Sequence, residues 1–360
     1  MLEGYWSEAP FSTPPETRKA MQLETFATLT RHHASHCPAY ANILNAFYGG
    51  IPEIAVVEDI PYLPVPLFKT LDLLSVPQQD IVRTMASSGT SGRPVSRVHL
   101  DAATAKNQAR TLVQISQEIL GPSRLPLIVV DQRKTIKDRA SFNARTAAII
   151  GFSTLGRAPF FLLDDETMRP DWAGLQEYLQ RHDGSPALVF GFTFMVWQHF
   201  VEAAAADGVK LDLADGILLH GGGWKNLTDR SIDNTAFKNN VRERFGIDRV
   251  HNYYGMVEQT GSIFVECEHG YFHSSIFGDV IVRNQNDLSI APNGERGVIQ
   301  VLSLIPKSYP GHSLLTEDEG MIAGDDGCAC GRPGKYFKVY GRLAEAEIRG
   351  CSDTYAERAR

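Results

Sequence analysis

The 360-residue sequence lacks several features that define whole classes of protein. No apolar run approaches the roughly 18–20 residues that cross a bilayer, and the first residues lack the charged start and apolar core of a secretory signal. No basic stripe stands out among 35 Lys and Arg against 42 Asp and Glu, so a nucleic-acid partner is not expected. Five cysteines do not form a disulfide framework. These absences predict a cytoplasmic protein without a membrane span.

What is present is an alternation of strand and helix patterns. The stretch 17–41 predicts a helix broken near Pro38, and the proline-rich segment 61–68 predicts extended chain. A short strand is predicted at 81–85 and buried strands at 125–130, 187–190 and 216–219, with helices at 101–119, 173–181, 194–206 and 236–245. Beyond Tyr254, the β-prone stretches 280–282 and 297–302 indicate a smaller antiparallel region. The fold class is therefore α/β, with layered α/β subdomains, a largely parallel sheet and a small antiparallel β subdomain.

The strongest local motif is a loop of small residues directly after the strand at 81–85. Its glycines permit positive φ and leave successive backbone N–H groups free to surround an anion, while its hydroxyls donate to phosphate oxygens. It is not the nucleotide loop that ends in Lys-Ser or Lys-Thr, and a solvated turn is the alternative interpretation. The candidate phosphate-binding residues are Ser87, Ser88, Gly89, Thr90, Ser91 and Gly92.

Two glycine-containing motifs follow later strands. Gly221, Gly222 and Gly223 are consecutive, which is costly in a strand end unless a ligand or neighbouring backbone comes close. In the second motif, Gly255 lets backbone approach a planar ligand on which the preceding Tyr254 packs, and Glu258 offers Mg²⁺ a hard oxygen ligand. The alternatives are an ordinary strand end and a solvent-exposed glutamate.

A fourth motif pairs an acidic segment with a glycine-arginine dipeptide near the end of the chain. Thr316 and Asp318 lie in the segment Thr-Glu-Asp-Glu-Gly, and Arg342 follows Tyr340 and Gly341. A carboxylate such as that of Asp318 can accept both hydroxyls of a ribose. Taken singly, each of these motifs also has a simple explanation as a turn.

The order of the four motifs resembles that of the acyl-adenylate-forming (ANL) superfamily, and most closely its LuxE-type acyl-protein synthetases and phenylacetate–CoA ligase branch. The segments His36-Cys-Pro-Ala-Tyr40 and Pro61-Tyr-Leu-Pro-Val-Pro-Leu-Phe-Lys69 also resemble the LuxE type. The resemblance covers residues 20 to 355. It implies an ANL-type adenylation domain over 1–340 and a hinge remnant with a C-terminal tail over 341–360, with the mobile C-terminal domain absent.

The resemblance also implies roles for the motif residues. The loop from Ser87 to Gly92 would hold the β- and γ-phosphates of ATP with Thr90 near Mg²⁺, the glycines 221–223 would lie against adenine, and Tyr254 would stack on it. Glu258 would bind the Mg²⁺, and Asp318 would hold the ribose beside Arg342. Val95 stands where many members have a lysine, which we take as a marker of the phenylacetate–CoA ligase branch. No residue matches the lysine of the C-terminal domain that serves adenylation.

Four residues form a candidate metal set: Cys267, His273, Cys328 and Cys330. Three thiolates and one imidazole suit a closed, tetrahedral structural Zn²⁺ site, although the Cys-x-Cys spacing is tighter than usual. The resemblance to phenylacetate–CoA ligase-like proteins favours His273 as the fourth ligand over His269. Buried reduced thiols without a metal are the alternative.

The activated acid and its acceptor are less closely defined by the sequence. LuxE-type proteins transfer the acyl group to a cysteine near their C-terminus, and Cys351 resembles it in position, with an inert thiol as the alternative. The resemblance implies a small-molecule carboxylic acid, fatty or aryl (including phenazine-type acids of antibiotic biosynthesis), and a partner reductase. Phe190 to Phe194 and Trp197 are candidates for its pocket, together with Trp224 and Met256. An acyl-CoA ligase and a non-catalytic nucleotide-binding subunit stay as alternative functions.

Overall fold

The computed structural model describes residues 2–87, 95–137, 144–182, 185–223, 232–259 and 261–343. These residues fold into two compact units, which are considered separately below. The first unit contains residues up to 115 together with 255–264 and the chain from 271 onward, and the second contains 116–254 and 265–270. The predicted single adenylation domain over 1–340 stays a prediction, and most of the predicted tail 341–360 lies outside the described residues.

The helices and strands have the following bounds. The helices are α1 Pro15–His36, α2 Pro38–Tyr48, α3 Ala102–Leu120, α4 Lys134–Lys137, α5 Ala144–Ser153, α6 Trp172–Arg181, α7 Thr193–Val196, α8 Ala203–Ala206 and α9 Asn234–Phe245, with a π-helical segment Trp197–Glu202 between α7 and α8. The strands are β1 Leu63–Pro64, β2 Ile81–Ala86, β3 Arg97–Asp101, β4 Leu125–Gln132, β5 Gly156–Leu163, β6 Leu188–Phe192, β7 Ile217–Gly221, β8 Arg249–Tyr254, β9 Phe264–Glu266, β10 Phe272–His273, β11 Gly278–Arg283, β12 Gly297–Ser303, β13 Ser313–Gly324 and β14 Tyr336–Arg342.

The second unit is built on parallel strands in the order β8-β7-β6-β4-β5. The Leu-Ile-Val-Val sequence of β4 and all five residues of β6 and β7 are buried, as expected for strands covered on both faces. Side chains from α6, the π-helical segment and α9 pack into this core. The register aligns the carboxyl ends of the strands, so that Phe192 pairs with Gly221 and Gly221 with Tyr253. The predicted parallel α/β arrangement is confirmed.

The first unit carries the antiparallel strands, in the order β11-β12-β13-β14-β10. Strand β1 pairs in parallel with β13, and β2 and β3 form a separate two-stranded hairpin. The predicted antiparallel subdomain is therefore present, and it is larger than the stretches 280–282 and 297–302 indicated. The twelve-residue strand β13 was not predicted, and it contains the acidic motif for which a turn was the alternative interpretation.

Local sequence chemistry accounts for several element boundaries. Asp101 stands at the start of the predicted helix 101–119, and its carboxylate caps that helix by accepting a hydrogen bond from the backbone N–H of Thr104 at 2.8 Å. Pro38 ends the first helix as predicted but also begins α2, because proline is well suited to the first helical position. The segment 61–68 is extended only in β1, after which residues Val65–Lys69 form a short 3-10 helix.

Among the residues described, no helix combines the length and apolar character that crossing a membrane requires.

Two stacked histidines lie buried in the core of the first unit. The rings of His33 and His312 have centroids 4.9 Å apart. Thr30 donates its hydroxyl to the Phe26 carbonyl, so its oxygen accepts from His312 Nε2 at 3.0 Å. Burial lowers the pKa of His33 well below its usual value and that of His312 to about 3. Both histidines are neutral in the folded protein near neutral pH.

We expect the first unit to lose stability in mild acid because of these histidines. The unfolded chain binds protons below pH 6.5 that the folded chain excludes, so stability falls by up to about 1.4 kcal/mol per pH unit for each histidine. A His312→Gln variant removes one of these contributions and should show a shallower loss of unfolding free energy between pH 7.5 and pH 5.5 in urea titrations. The exposed His36→Gln is the control. A slope in His312→Gln equal to that of the wild type would contradict the assignment.

Candidate functional site

The predicted phosphate loop is held at its base by paired hydrogen bonds in the first unit. The backbone N–H of Ser87 donates to the carbonyl of Ser96 at 3.0 Å, and the N–H of Ser96 donates to Ser87 Oγ at 3.0 Å. These bonds close the hairpin formed by β2 and β3 where the motif begins. The other predicted loop residues, Ser88, Gly89, Thr90, Ser91 and Gly92, lie outside the described residues, and their role stays a prediction.

Glu258 lies in a short 3-10 helix, Val257–Gln259, and its side chain is 5% exposed. The position is fixed by its neighbour, because the Gln259 amide donates to the carbonyls of Val301 and Gly311 at 3.1 and 3.0 Å. Gly311 approaches closely: a Cβ at that residue would lie 2.8 Å from the Glu258 carbonyl oxygen. The interpretation of Glu258 as a solvent-exposed glutamate is therefore wrong.

The electrostatic surroundings of Glu258 are unfavourable for its negative charge. Burial raises the pKa of this carboxyl above its usual value, and the Ser96 side chain, Lys69 and Arg342 offset only part of the rise. The hydroxyl of Ser96 is itself buried and makes no hydrogen bond of good geometry within the described residues. A buried carboxylate of this kind is an oxygen ligand that a divalent cation would stabilise.

Asp318 and Arg342 are aligned on neighbouring strands, as the two motifs require. They are register partners on β13 and β14. Thr316 donates its hydroxyl to the Ile299 carbonyl at 2.8 Å and accepts the backbone N–H of Asp318 at 3.1 Å. The threonine therefore fixes the strand, and Asp318 is half-buried. Since Arg342 also acts on the Glu258 carboxyl, the first unit brings these motif residues into one neighbourhood.

Packing and backbone conformation within the second unit partly explain why glycine occupies positions 221–223. A Cβ on Gly221 would lie 2.5 Å from the ring of Tyr253, and a Cβ on Gly222 would overlap the ring of Phe192. Gly222 and Gly223 have φ values of 79° and 63°, and a Cβ on Gly223 would have no neighbour within 4 Å. Packing thus explains Gly221 and backbone conformation explains Gly223. Tyr254 ends β8 and is half-buried, and Gly255 begins the return to the first unit.

Two residues of this neighbourhood lie outside the four sequence motifs. Lys69 belongs to the segment that resembles the LuxE type, and it ends a 3-10 helix that packs on β3 and β13. Ser96 follows the loop rather than lying within it. In the sequence, Lys69 is a single cationic residue after a proline-rich run, and no neighbouring residue indicates which carboxylate it lies near.

The four predicted metal ligands come together. The candidate ligand atoms of Cys267, His273, Cys328 and Cys330 all lie within 4.8 Å of one another, and three of the four residues are buried. Cys330 Sγ lies 3.3 Å from His273 Nε2. His269 is exposed on the turn after Cys267 and is not in the group. The donor set suits a tetrahedral thiolate-rich site.

Comparison with known proteins identifies the family of this chain. The family model described as "Acyl-protein synthetase, LuxE" matches residues 5–359. The chain belongs to the LuxE acyl-protein synthetase family. A long-chain-fatty-acid–luciferin-component ligase of Vibrio harveyi is 22% identical over 317 residues, which are 84% of this chain and 79% of that protein. A ligase of the same name from Photorhabdus luminescens is 35% identical over 75 residues, 21% of this chain and 60% of that protein.

Solved structures show the fold of this LuxE family member. An open conformation of 2-hydroxyisobutyryl-CoA ligase in complex with 2-HIB-AMP and CoA matches with a TM-score of 0.71 and 18% identity, over 94% of this chain and 73% of that one. The same ligase in its thioesterification state matches with a TM-score of 0.70, over 94% and 70%. The predicted ANL-type fold is confirmed.

We expect Glu258→Gln to stabilise the protein at neutral pH. The folded carboxyl has the higher pKa, so folding binds a proton above the unfolded pKa of 4.5, and stability falls as pH rises toward the folded pKa by up to about 1.4 kcal/mol per pH unit. The amide removes this cost. In thermal melts the variant should exceed the wild type at pH 7.5 and match it below pH 4.5, whereas the exposed Glu53→Gln should match it at both. A less stable Gln variant at pH 7.5 would refute the burial argument.

Proposed function

We propose that this LuxE family member activates a carboxylic acid with ATP in the cytoplasm. A carboxylate oxygen attacks the α-phosphorus, forming an acyl-adenylate, and the bond from that phosphorus to the bridging oxygen breaks to release pyrophosphate. The observation that carries the proposal is the buried Glu258 carboxylate beside the base of the phosphate loop and Arg342. A carboxylate that is buried and forms no ion pair among the described residues is stabilised when a ligand offsets its charge.

Each motif has a role in this proposal. The loop residues hold the β- and γ-phosphates, the glycines 221–223 and Tyr254 with Gly255 contact adenine, and Asp318 with Arg342 holds the ribose. The protein acts mainly by positioning these groups, since little covalent chemistry is needed from the enzyme in such a transfer. The catalytic residues are Thr90, Glu258 and, for the later acyl transfer, Cys351.

The fit of Glu258 supports Mg²⁺ as the companion of ATP. Its carboxylate is a hard oxygen donor, and its raised pKa reflects a charge that a divalent ion would offset. When bound, Mg²⁺ supplies positive charge to the phosphate oxygens. Lys69 adds a further positive charge near this carboxylate.

The acid and its acceptor are proposed by class. The printed name of the Vibrio harveyi relative specifies a long-chain fatty acid, which supports a fatty acid here. Aromatic side chains near the end of β6, among them Phe192, Phe194 and Trp197, support an aryl acid as well. We propose that the acyl group passes to a thiol, that of Cys351 or of CoA, or to a partner reductase.

We expect the protein to exchange labelled pyrophosphate into ATP when a suitable acid is present and CoA is absent. Glu258→Gln should lower the exchange rate by at least about 100-fold, because loss of a metal ligand costs several kcal/mol of transition-state stabilisation. The measurement is acid-dependent exchange across a panel of fatty and aryl acids.

The controls separate the rival functions. The exposed Glu243→Gln should exchange like the wild type, and Cys351→Ala should keep exchange while losing any labelled acyl group retained on the protein. Exchange that requires CoA would indicate an acyl-CoA ligase instead. Nucleotide binding with no exchange for any acid would indicate a non-catalytic subunit, and unaltered exchange in Glu258→Gln would overturn the metal assignment.

We further propose that Cys267, His273, Cys328 and Cys330 hold a structural Zn²⁺. The donor atoms, their proximity and their burial support this assignment. Within the first unit, the ion would tie His273 of β10 to the segment between β13 and β14 that contains both Cys328 and Cys330. Its role would be to stabilise the fold rather than to take part in the reaction.

We expect the purified protein to contain about one zinc ion per chain. Cys328→Ser should lose the ion and melt at a lower temperature, because the folding free energy includes that of metal binding. Cys37→Ser is the matched control, since Cys37 is a buried cysteine outside the cluster. Elemental analysis that finds no zinc in the wild type, or equal zinc in Cys328→Ser, would contradict the proposal.

A further inference from the structure

His220 is a buried histidine at the carboxyl end of the parallel sheet in the second unit. It is the next-to-last residue of β7, directly before the glycine turn, and it is 2% exposed. Side chains alternate along a strand, so His220 faces away from the side on which Gly221 meets Tyr253. Its ring centroid lies 4.5 Å from that of Phe237, which in turn lies 6.1 Å from that of Trp197.

The hydrogen bonds of Thr193 determine which nitrogen of His220 carries the proton. Thr193 donates its only hydroxyl hydrogen to the Gly221 carbonyl at 3.1 Å. Its oxygen lies 2.9 Å from His220 Nδ1, and with its hydrogen already used it accepts there. Nδ1 therefore carries the proton, and Nε2 presents a lone pair.

That lone pair has no hydrogen-bond partner in the part of the chain that the structure describes. His220 Nε2 is buried and makes no hydrogen bond within the described residues. Burial, with the charge of Lys238 and the neighbouring His251, lowers the pKa of His220 to about 3, so protonation does not satisfy the nitrogen at neutral pH. Lys238 is already paired with Glu266 at 3.1 Å. A buried acceptor left empty costs stability unless a ligand supplies the donor.

We propose that His220 is a specificity-determining residue whose Nε2 accepts a hydrogen bond from an O–H or N–H group of the acid being activated. The inference rests on the proposed function and deepens it by naming the substrate class: acids that carry a donor in addition to their carboxylate. Open α/β sheets bind ligands at the carboxyl ends of their strands, where His220 lies. The neighbouring Phe237 and Trp197 suit the carbon skeleton of an acid.

The same donor chemistry has a second source, the exocyclic amine of adenine. The packing of His220 against Phe237, whose ring neighbours that of Trp197, favours the acid, because apolar rings suit its carbon skeleton. The experiment therefore has two arms, one that removes the donor from the acid and one that removes it from the nucleotide.

The acid arm measures pyrophosphate exchange with pairs of acids that differ only by a hydroxyl or a methoxyl group: ortho-, meta- and para-substituted benzoates, and hydroxy and methoxy long-chain acids. For at least one pair the wild type should prefer the hydroxy acid on the order of 10-fold to 100-fold, the usual penalty for an unpaired buried polar group. His220→Phe should abolish the preference, and His220→Gln, which keeps an acceptor, should retain part of it. His182→Phe is the control, a histidine at the end of α6 outside this cluster.

The nucleotide arm compares ATP with N6,N6-dimethyl-ATP using the acid exchanged best. A preference for ATP that His220→Phe abolishes would show that His220 contacts adenine and would overturn the proposal. A hydroxyl preference that survives in folded His220→Phe, as judged by circular dichroism, or the absence of any preference in the wild type, would also overturn it. If the wild type shows pyrophosphate exchange with none of the acids, that result would instead contradict the proposed function itself.

Discussion

The carboxylate of Glu258, held out of water in the first unit, is the constraint on which the functional account depends. The surrounding structure holds the 3-10 helix that contains Glu258 in place, because the amide of Gln259 donates hydrogen bonds to the carbonyls of Val301 and Gly311. Lys69 and Arg342 lower the cost of the charge without removing it. Keeping such a carboxylate lowers the stability of the protein without its ligand. The proposed cation would offset this loss of stability on binding, and stability is commonly given up for function in this way.

The second unit also places a few polar groups at specific positions. Strands β6 and β7 are apolar up to their carboxyl ends, where Thr193, His220 and the glycines lie close together. Thr193 ties the end of β6 to the end of β7 through the Gly221 carbonyl and at the same time sets the tautomer of His220. The parallel sheet thus supplies a rigid base, and the side chains that we propose distinguish one ligand from another lie at the carboxyl ends of its strands.

Much of the fold could be predicted because its signals are local. The Leu-Ile-Val-Val sequence of β4 is buried on both faces, and Asp101 caps α3 through its own carboxylate. Strand β13 was not predicted, because its acidic sequence gives no indication that it pairs with β12 and β14. At the site, the order of the motifs predicted Glu258, Asp318 and Arg342. The proposed roles of Lys69 and of His220 Nε2, which has no hydrogen-bond partner among the described residues, depend instead on contacts between segments that are distant in sequence. For Gly221 the structure adds a reason that the sequence does not show, since a Cβ there would overlap the ring of Tyr253.

Oxygen transfer from the acid to the nucleotide tests the central claim most directly. The acid is supplied with both carboxyl oxygens as ¹⁸O, together with ATP and a thiol acceptor, and the nucleotide product is analysed by mass spectrometry. If the acid attacks the α-phosphorus, breakdown of the acyl-adenylate leaves one ¹⁸O in AMP. Unlabelled AMP, or ADP with the label in inorganic phosphate, would place the attack elsewhere and contradict the account.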